Sequence, residues 1–157
     1  MADNSNPRLF HLVHRMHQAL FRAGDQMLGD ALGISTTQSA VLMYLKNKDG
    51  AAIGALADAV GLKITSMSGL VDRMEAKGLL RRVRSETDRR SVLITLTSEG
   101  KQIIKKAEPL VTKNNAALLA ALGDEVTATQ FAVACENLIR AAEGSTSHDQ
   151  SDIQKVS

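Results

Sequence analysis

Apolar residues recur at three- and four-residue steps through most of the chain, the spacing of helices that bury one face. Leu9, Leu12, Val13, Met16 and Leu20 form the first such stripe, on a helix entered after Pro7 and ending near Gly29 or Gly33. Ser35-Thr36-Thr37-Gln38 has the S-x-x-Q spacing of a capping box and precedes Ala40, Val41, Leu42 and Leu45, a second, short helix that stops at Asp49-Gly50. Ile53, Leu56, Ala57, Val60 and Leu62 make a third repeat broken at Gly61. Ile64, Met67, Leu70, Val71 and Met74 make a fourth, ending at Lys77-Gly78. Two short helices joined by a Gly-containing turn have the spacing of a helix-turn-helix.

The period then falls to two. Leu80, Arg82 and Arg84 alternate with Arg81, Val83 and Ser85. Beyond the turn-rich Glu86-Thr87-Asp88, Val92, Ile94 and Leu96 alternate with Leu93, Thr95 and Thr97, which predicts a two-stranded hairpin. Thr97-Ser98-Glu99 restarts a helix, long and amphipathic to Gly123, which Pro109 should bend because it removes a backbone donor and crowds the preceding turn. A last helix is expected over roughly Asp124 to Glu143, followed by a Ser/Asp/Gln/Lys tail without core pattern. The fold class is therefore mainly α with a small β-hairpin wing: a winged helix-turn-helix lobe over 35–97, terminal helices over 1–34 and 98–145, and a disordered tail over 146–157. The terminal helices carry apolar stripes that a lobe of this size leaves uncovered, so they should pair with a second chain.

With 157 residues, 44% of them hydrophobic, the chain has the size and composition of one soluble domain. A single cysteine excludes an internal disulfide framework, and no apolar run is long enough for a membrane span, so a cytoplasmic protein is expected. Nineteen Lys and Arg against 17 Asp and Glu give a net +2. Its distribution says more than its size. Between Lys77 and Arg90 lie six cations against two carboxylates, a net +4, which leaves −2 for the rest of the chain. A basic hairpin on an otherwise slightly acidic protein suits a phosphate backbone, and an arginine at its tip suits a narrow minor groove.

The second helix of the pair is the one able to enter a major groove. With Met67, Leu70, Val71 and Met74 buried, Thr65, Ser68, Gly69, Asp72, Arg73 and Ala76 fall on or near the opposite side. Lys63, Thr65, Ser66 and Ser68 gather at its N-terminal end, where small side chains permit close approach and helix amides favour phosphate. The candidate DNA-binding residues are Lys63, Thr65, Ser66, Ser68, Gly69, Arg73, Arg84, Asp88, Arg89 and Arg90.

The run Gly69-Leu70-Val71-Asp72-Arg73-Met74-Glu75-Ala76-Lys77-Gly78-Leu79-Leu80-Arg81-Arg82, then Asp88-Arg89-Arg90, then Leu96-Thr97-Ser98-Glu99-Gly100 resembles the signature of the MarR (multiple antibiotic resistance regulator) transcription factors. The resemblance covers Ser35 to Gly100 by motif and the flanking helices by layout. It implies a homodimer whose first and last two helices interlock, with two winged lobes over a pseudo-palindromic operator. It further implies a ligand-responsive repressor, with the D-x-R motif, here Asp88 and Arg90, ordering the wing and its arginine entering the minor groove. One departure is Ala51-Ala52 before the third helix, where the family commonly has a Ser or Thr cap.

Other chemistry is thin. His11, His14 and His17 recur at three-residue steps but fan around the helix, and no carboxylate lies close beside them, so no metal site is expected. Phe10, His14, His17 and Phe21 form a second stripe on that helix. It reads either as core or interface packing, or as lining of the effector cavity that the resemblance places between dimer region and lobe, suited to a small aromatic or phenolic anion. Cys135, among Phe131, Ala132, Val133 and Leu138, reads as a buried inert thiol. Redox-sensing relatives carry their cysteine in the first helix, where this chain has none. The chain has no Gly-rich phosphate loop, G-x-S-x-G or H-E-x-x-H, so neither an enzyme nor a cofactor is expected. The alternative to a DNA reader is a helical protein-interaction module, which leaves the basic wing without a use.

Overall fold

The computed structural model describes residues 8–48, 50–84 and 91–153, with side chains up to residue 144. Its order is α1 (Leu9–Leu32), α2 (Thr36–Leu45), α3 (Ile53–Val60), α4 (Ile64–Ala76), β1 (Leu80–Arg84), β2 (Val92–Leu96), α5 (Ser98–Ala120) and α6 (Ala128–Ile153). This is the winged helix-turn-helix arrangement expected from the sequence. The chain divides into two compact units, one ending at Val111 and the other starting at Thr112, with the boundary inside α5.

The first unit holds the core. Local signals set its element ends. Gly33, in the left-handed conformation, closes α1 through bonds to the Gly29 and Leu28 carbonyls. Ser35 opens α2 with both halves of a capping box: Gln38 N donates to Ser35 Oγ at 3.1 Å, and Ser35 N donates to Gln38 Oε1 at 3.1 Å. Asp25, from α1, adds a second cap, accepting from Thr36 N at 2.7 Å and placing a carboxylate at the positive end of α2. Leu42, Leu45, Leu56, Met67, Met74 and Leu80 are all nearly solvent-free. Leu28 of α1 and Ile104 and Ala107 of α5 join the same core, so the lobe's packing reaches beyond residues 35–97 on both sides.

β1 and β2 pair antiparallel, with Leu80 opposite Leu96, Arg82 opposite Ile94 and Arg84 opposite Val92. Ala51 adds a bridge to Ile94, with Ala51 N donating to Ile94 O at 3.1 Å and Ile94 N to Ala51 O at 2.8 Å. That contact gives Ala51 its place ahead of α3. Ala52 occupies the cap position without a side-chain bond, and Ala51 is buried against the sheet, where a small residue fits.

Ile64 begins the apolar repeat of α4 but is not part of its buried face: it is 58% exposed at the first position of the helix. Three expectations change. α6 begins at Ala128 rather than near Asp124, because Thr127 and Gln130 form a second capping box, Gln130 N donating to Thr127 Oγ1 at 3.2 Å and Thr127 N to Gln130 Oε1 at 2.9 Å. It continues to Ile153, where the sequence reading expects the disordered tail over 146–157; a helix already nucleated extends through polar residues so long as no proline stops it. Cys135 is half-buried rather than buried, since most of its neighbours on α6 are exposed. Pro109 lies inside α5, which is helical on both sides of it.

Candidate nucleic-acid interface

α4 buries Met67, Leu70, Val71 and Met74 and turns its other side outward. Thr65, Ser66, Asp72 and Arg73 are exposed, and Ser68 and Gly69 are half-exposed. A Cβ added at Gly69 would stand 3.5 Å from Arg73 Nη1, so the Arg73 guanidinium lies back along the helix over Gly69. Lys63 holds the N-cap position without a side-chain cap, and the first turn carries no acid. The leading amides of α4 therefore have no capping side chain and remain open to an anion. Exposed Ile64 stands beside them, an apolar surface of the kind that meets a thymine methyl.

The hairpin's charge is less free than its sequence implies. Arg82 Nη2 donates to Asp72 Oδ1 at 2.6 Å, Arg82 Nη1 bonds Glu75, and the Arg82 backbone N–H donates to Glu75 Oε1 at 3.2 Å. The hydrogen bond that Asp72 accepts is the main cause holding the guanidinium above its ordinary pKa, with Glu75 adding to it and partial burial opposing. Lys77 Nζ donates to the Gly33 carbonyl at 2.8 Å, at the negative end of α1, and Arg81 Nε donates to Thr95 Oγ1 at 3.3 Å. Lys77, Arg81 and Arg82 thus have partners within the fold. Arg84 is exposed at the end of β1. Asp88, Arg89 and Arg90 lie outside the described residues.

The chain matches the MarR family over residues 32–91. It is 30% identical over 115 residues to a transcriptional regulatory protein for the hcr operon of Thauera aromatica, covering 73% of this chain and 69% of that one. This chain belongs to the MarR family. An HTH-type transcriptional regulator of Bacillus subtilis, YfiV, is 38% identical over 74 residues, 47% of this chain and 46% of its own length. The match thus spans about half of that relative. Among solved structures, the MosR regulator of M. tuberculosis in complex with DNA superposes with a TM-score of 0.73 at 26% identity, covering 85% of this chain and 95% of MosR.

Within this MarR-family chain the residues singled out on α1 separate into two groups. The His17 and Phe21 rings lie 4.3 Å apart at 31° and, with Gln18, Arg22 and Asp25, line an open cleft of about 360 Å³. His14 lies 3.4 Å from Gln18 across its Nε2 and faces a neighbouring cleft with Leu12, Arg15 and Met16. Phe10 is 94% exposed and lines neither. None of the four is core of this chain. Among the described residues there is no group of three His, Cys, Asp or Glu able to hold a metal, and no helix is long and apolar enough to cross a membrane.

Two residues whose roles the sequence reading did not separate out are Ile64 and Arg82. The signal for Arg82 was present: Asp72 and Glu75 stand three apart on one helix face, just outside the window over which the hairpin's charge was counted.

Proposed function

We propose that this chain is a regulator of transcription that binds double-stranded DNA sequence-specifically as a homodimer, represses by occluding a pseudo-palindromic operator, and is released by a small aromatic or phenolic anion. The observation that carries this reading is the exposed side of α4: an uncapped, acid-free N-terminus flanked by Thr65, Ser66, Ser68 and Ile64, with exposed Arg84 on the adjoining hairpin. Helix amides and Lys63 bind phosphate, the small polar side chains reach base edges, and Arg84, with Arg89 and Arg90 beyond it, adds phosphate or minor-groove contacts. Asp88 fills the ordering role that the D-x-R motif implies. The reading assigns no catalytic step, needs no cofactor, and places the protein with the DNA in the cytoplasm.

A salt titration on a duplex selected from a random pool tests it. Arg84→Ala and Arg90→Ala should weaken binding to all duplexes and reduce the slope of log affinity against log salt by about 1 each. Thr65→Ala or Ser68→Ala should leave the slope alone and change preference among bases by about 1–3 kcal/mol per lost contact. No duplex binding at low salt would overturn the reading in favour of an interaction module, and mutants that all change affinity without changing preference would overturn the assignment of α4.

For the effector, the cleft of His17, Phe21, Arg22 and Asp25 supplies an aromatic wall and a guanidinium for a carboxylate. A ligand that releases DNA must favour the DNA-incompetent arrangement. His17→Ala, if still a folded dimer, should respond to salicylate only at higher concentration. Unchanged release in both His14→Ala and His17→Ala would place the effector elsewhere.

A further inference from the structure

We propose that Arg82 is the positioning residue that joins the hairpin to the recognition helix as one reading unit, and that it is not itself a contact to DNA; the inference rests on the DNA-binding reading above. Arg82 faces two carboxylates from the same turn of α4, Asp72 and Glu75, and bonds both through separate nitrogens of its planar fork. Its backbone is held as well, through the N–H donated to Glu75. The three side chains sum to −1, so this cluster offers a phosphate no net attraction.

Position along the strand gives the tie its effect. Leu80 anchors the start of β1 in the core, and Arg82 is the next tie outward. Side chains two apart on a strand leave by the same face, so fixing Arg82 against α4 sets where Arg84 stands relative to Thr65 and Ser68. All three partners remain partly exposed, with Arg82 at 33% and Asp72 at 62%. Ion pairs of that kind contribute little to global stability. Removing this one should therefore leave the lobe folded while freeing the hairpin to shift.

The decisive variant is Asp72→Asn with Glu75→Gln, which deletes two negative charges beside a polyanion and keeps Arg82. If Arg82 were a phosphate contact masked by these acids, binding would tighten. The positioning role demands the opposite: about tenfold weaker binding, the scale of a lost charge-assisted contact. Hydroxyl-radical protection should fade at the flanking, hairpin-side positions and persist at the centre of the site, with the unfolding midpoint nearly unchanged. Arg82→Ala should behave alike, and Arg82→Lys should not rescue it, because an ammonium cannot bridge both carboxylates in a fork. The probe is a duplex that the wild-type chain selects from a random pool. Tighter binding by the double variant, a salt slope reduced by about 1 in Arg82→Ala, or loss of protection across the whole site together with a lowered midpoint would each overturn the proposal while the DNA-binding reading stands. A wild-type chain that selects no duplex would overturn both.

Discussion

Gly100→Ala should destabilise the protein by at least about 1–3 kcal/mol, the cost of forcing a methyl into a packed site, and lower its unfolding midpoint by several degrees. Gly100 is buried in the first turn of α5, and a Cβ there would overlap the carbonyl oxygen of Leu79, with Leu96 Cδ2 at 3.3 Å. The obstacle is backbone, and it is tied down. Leu79 O accepts from Thr97 N at 3.2 Å and from Thr97 Oγ1 at 3.1 Å, while Gly100 N donates to Thr97 Oγ1 at 3.0 Å. Moving Leu79 aside therefore pulls on the end of α4, the start of β1 and the cap of α5 together. Gly29→Ala is the control: it lies in the exposed middle of the last turns of α1 with nothing within 4 Å of an added Cβ. There alanine should raise stability by up to about 1 kcal/mol through its better helix propensity. Equal midpoints for Gly100→Ala and wild type would mean that the junction is looser than its geometry shows.

Leu12→Asp should turn the protein into a folded monomer and cut its affinity for a two-half-site duplex on the order of a hundredfold or more, because the second lobe is then no longer tethered to the first. Leu9, Leu12, Val13, Met16 and Leu20 of α1 are all substantially exposed, Leu12 at 58%. In the second unit Leu118, Leu119, Val133, Leu138 and Ile139 are exposed as well. A stable monomer rarely presents an apolar stripe like that of α1 to solvent, and an obligate dimer interface is the usual cover. A carboxylate in that seam leaves a charge that the partner's apolar side chains cannot solvate. Leu12 sits outside the core of the lobe, so circular dichroism should remain helical while native mass falls by half. A wild-type protein monomeric at micromolar concentration would refute the expectation directly.

What the sequence made legible is what local rules decide. The buried face of α4 follows from its spacing alone, and Ser35-x-x-Gln38 announces α2 because both halves of the box lie within four residues. Thr127-x-x-Gln130 carries the same information, yet nearby Asp124 and Glu125 also look like a helix start, and only geometry shows which one bonds. Gly100 was illegible, and the partners of Arg82 hard to pick out, for a different reason. Their partners, the Leu79 carbonyl for Gly100 and Asp72 and Glu75 for Arg82, lie seven to twenty-one residues away, on elements that only the folded chain brings together. A charge count along the chain treats Arg82 as free, and a motif containing Gly100 gives no reason for the glycine. The α1 stripe shows the converse: its pattern is visible, but whether a second chain or a ligand covers it is not a property of one sequence.

The Ala51 bridge has a consequence for how the protein behaves when crowded. In the Arg82–Ile94 pair the backbone groups of Ile94 point away from β1, and Ala51 occupies both of them. On the opposite rim, the outward N–H of Arg82 is taken by Glu75. Each open border of the two-stranded sheet is thus sealed at its midpoint, and the arginines beside it repel a like strand. A hairpin that projects from the lobe to meet another molecule would otherwise template intermolecular sheet growth and drive self-aggregation. Here strand addition is blocked on both rims, so association between copies is left to the helices.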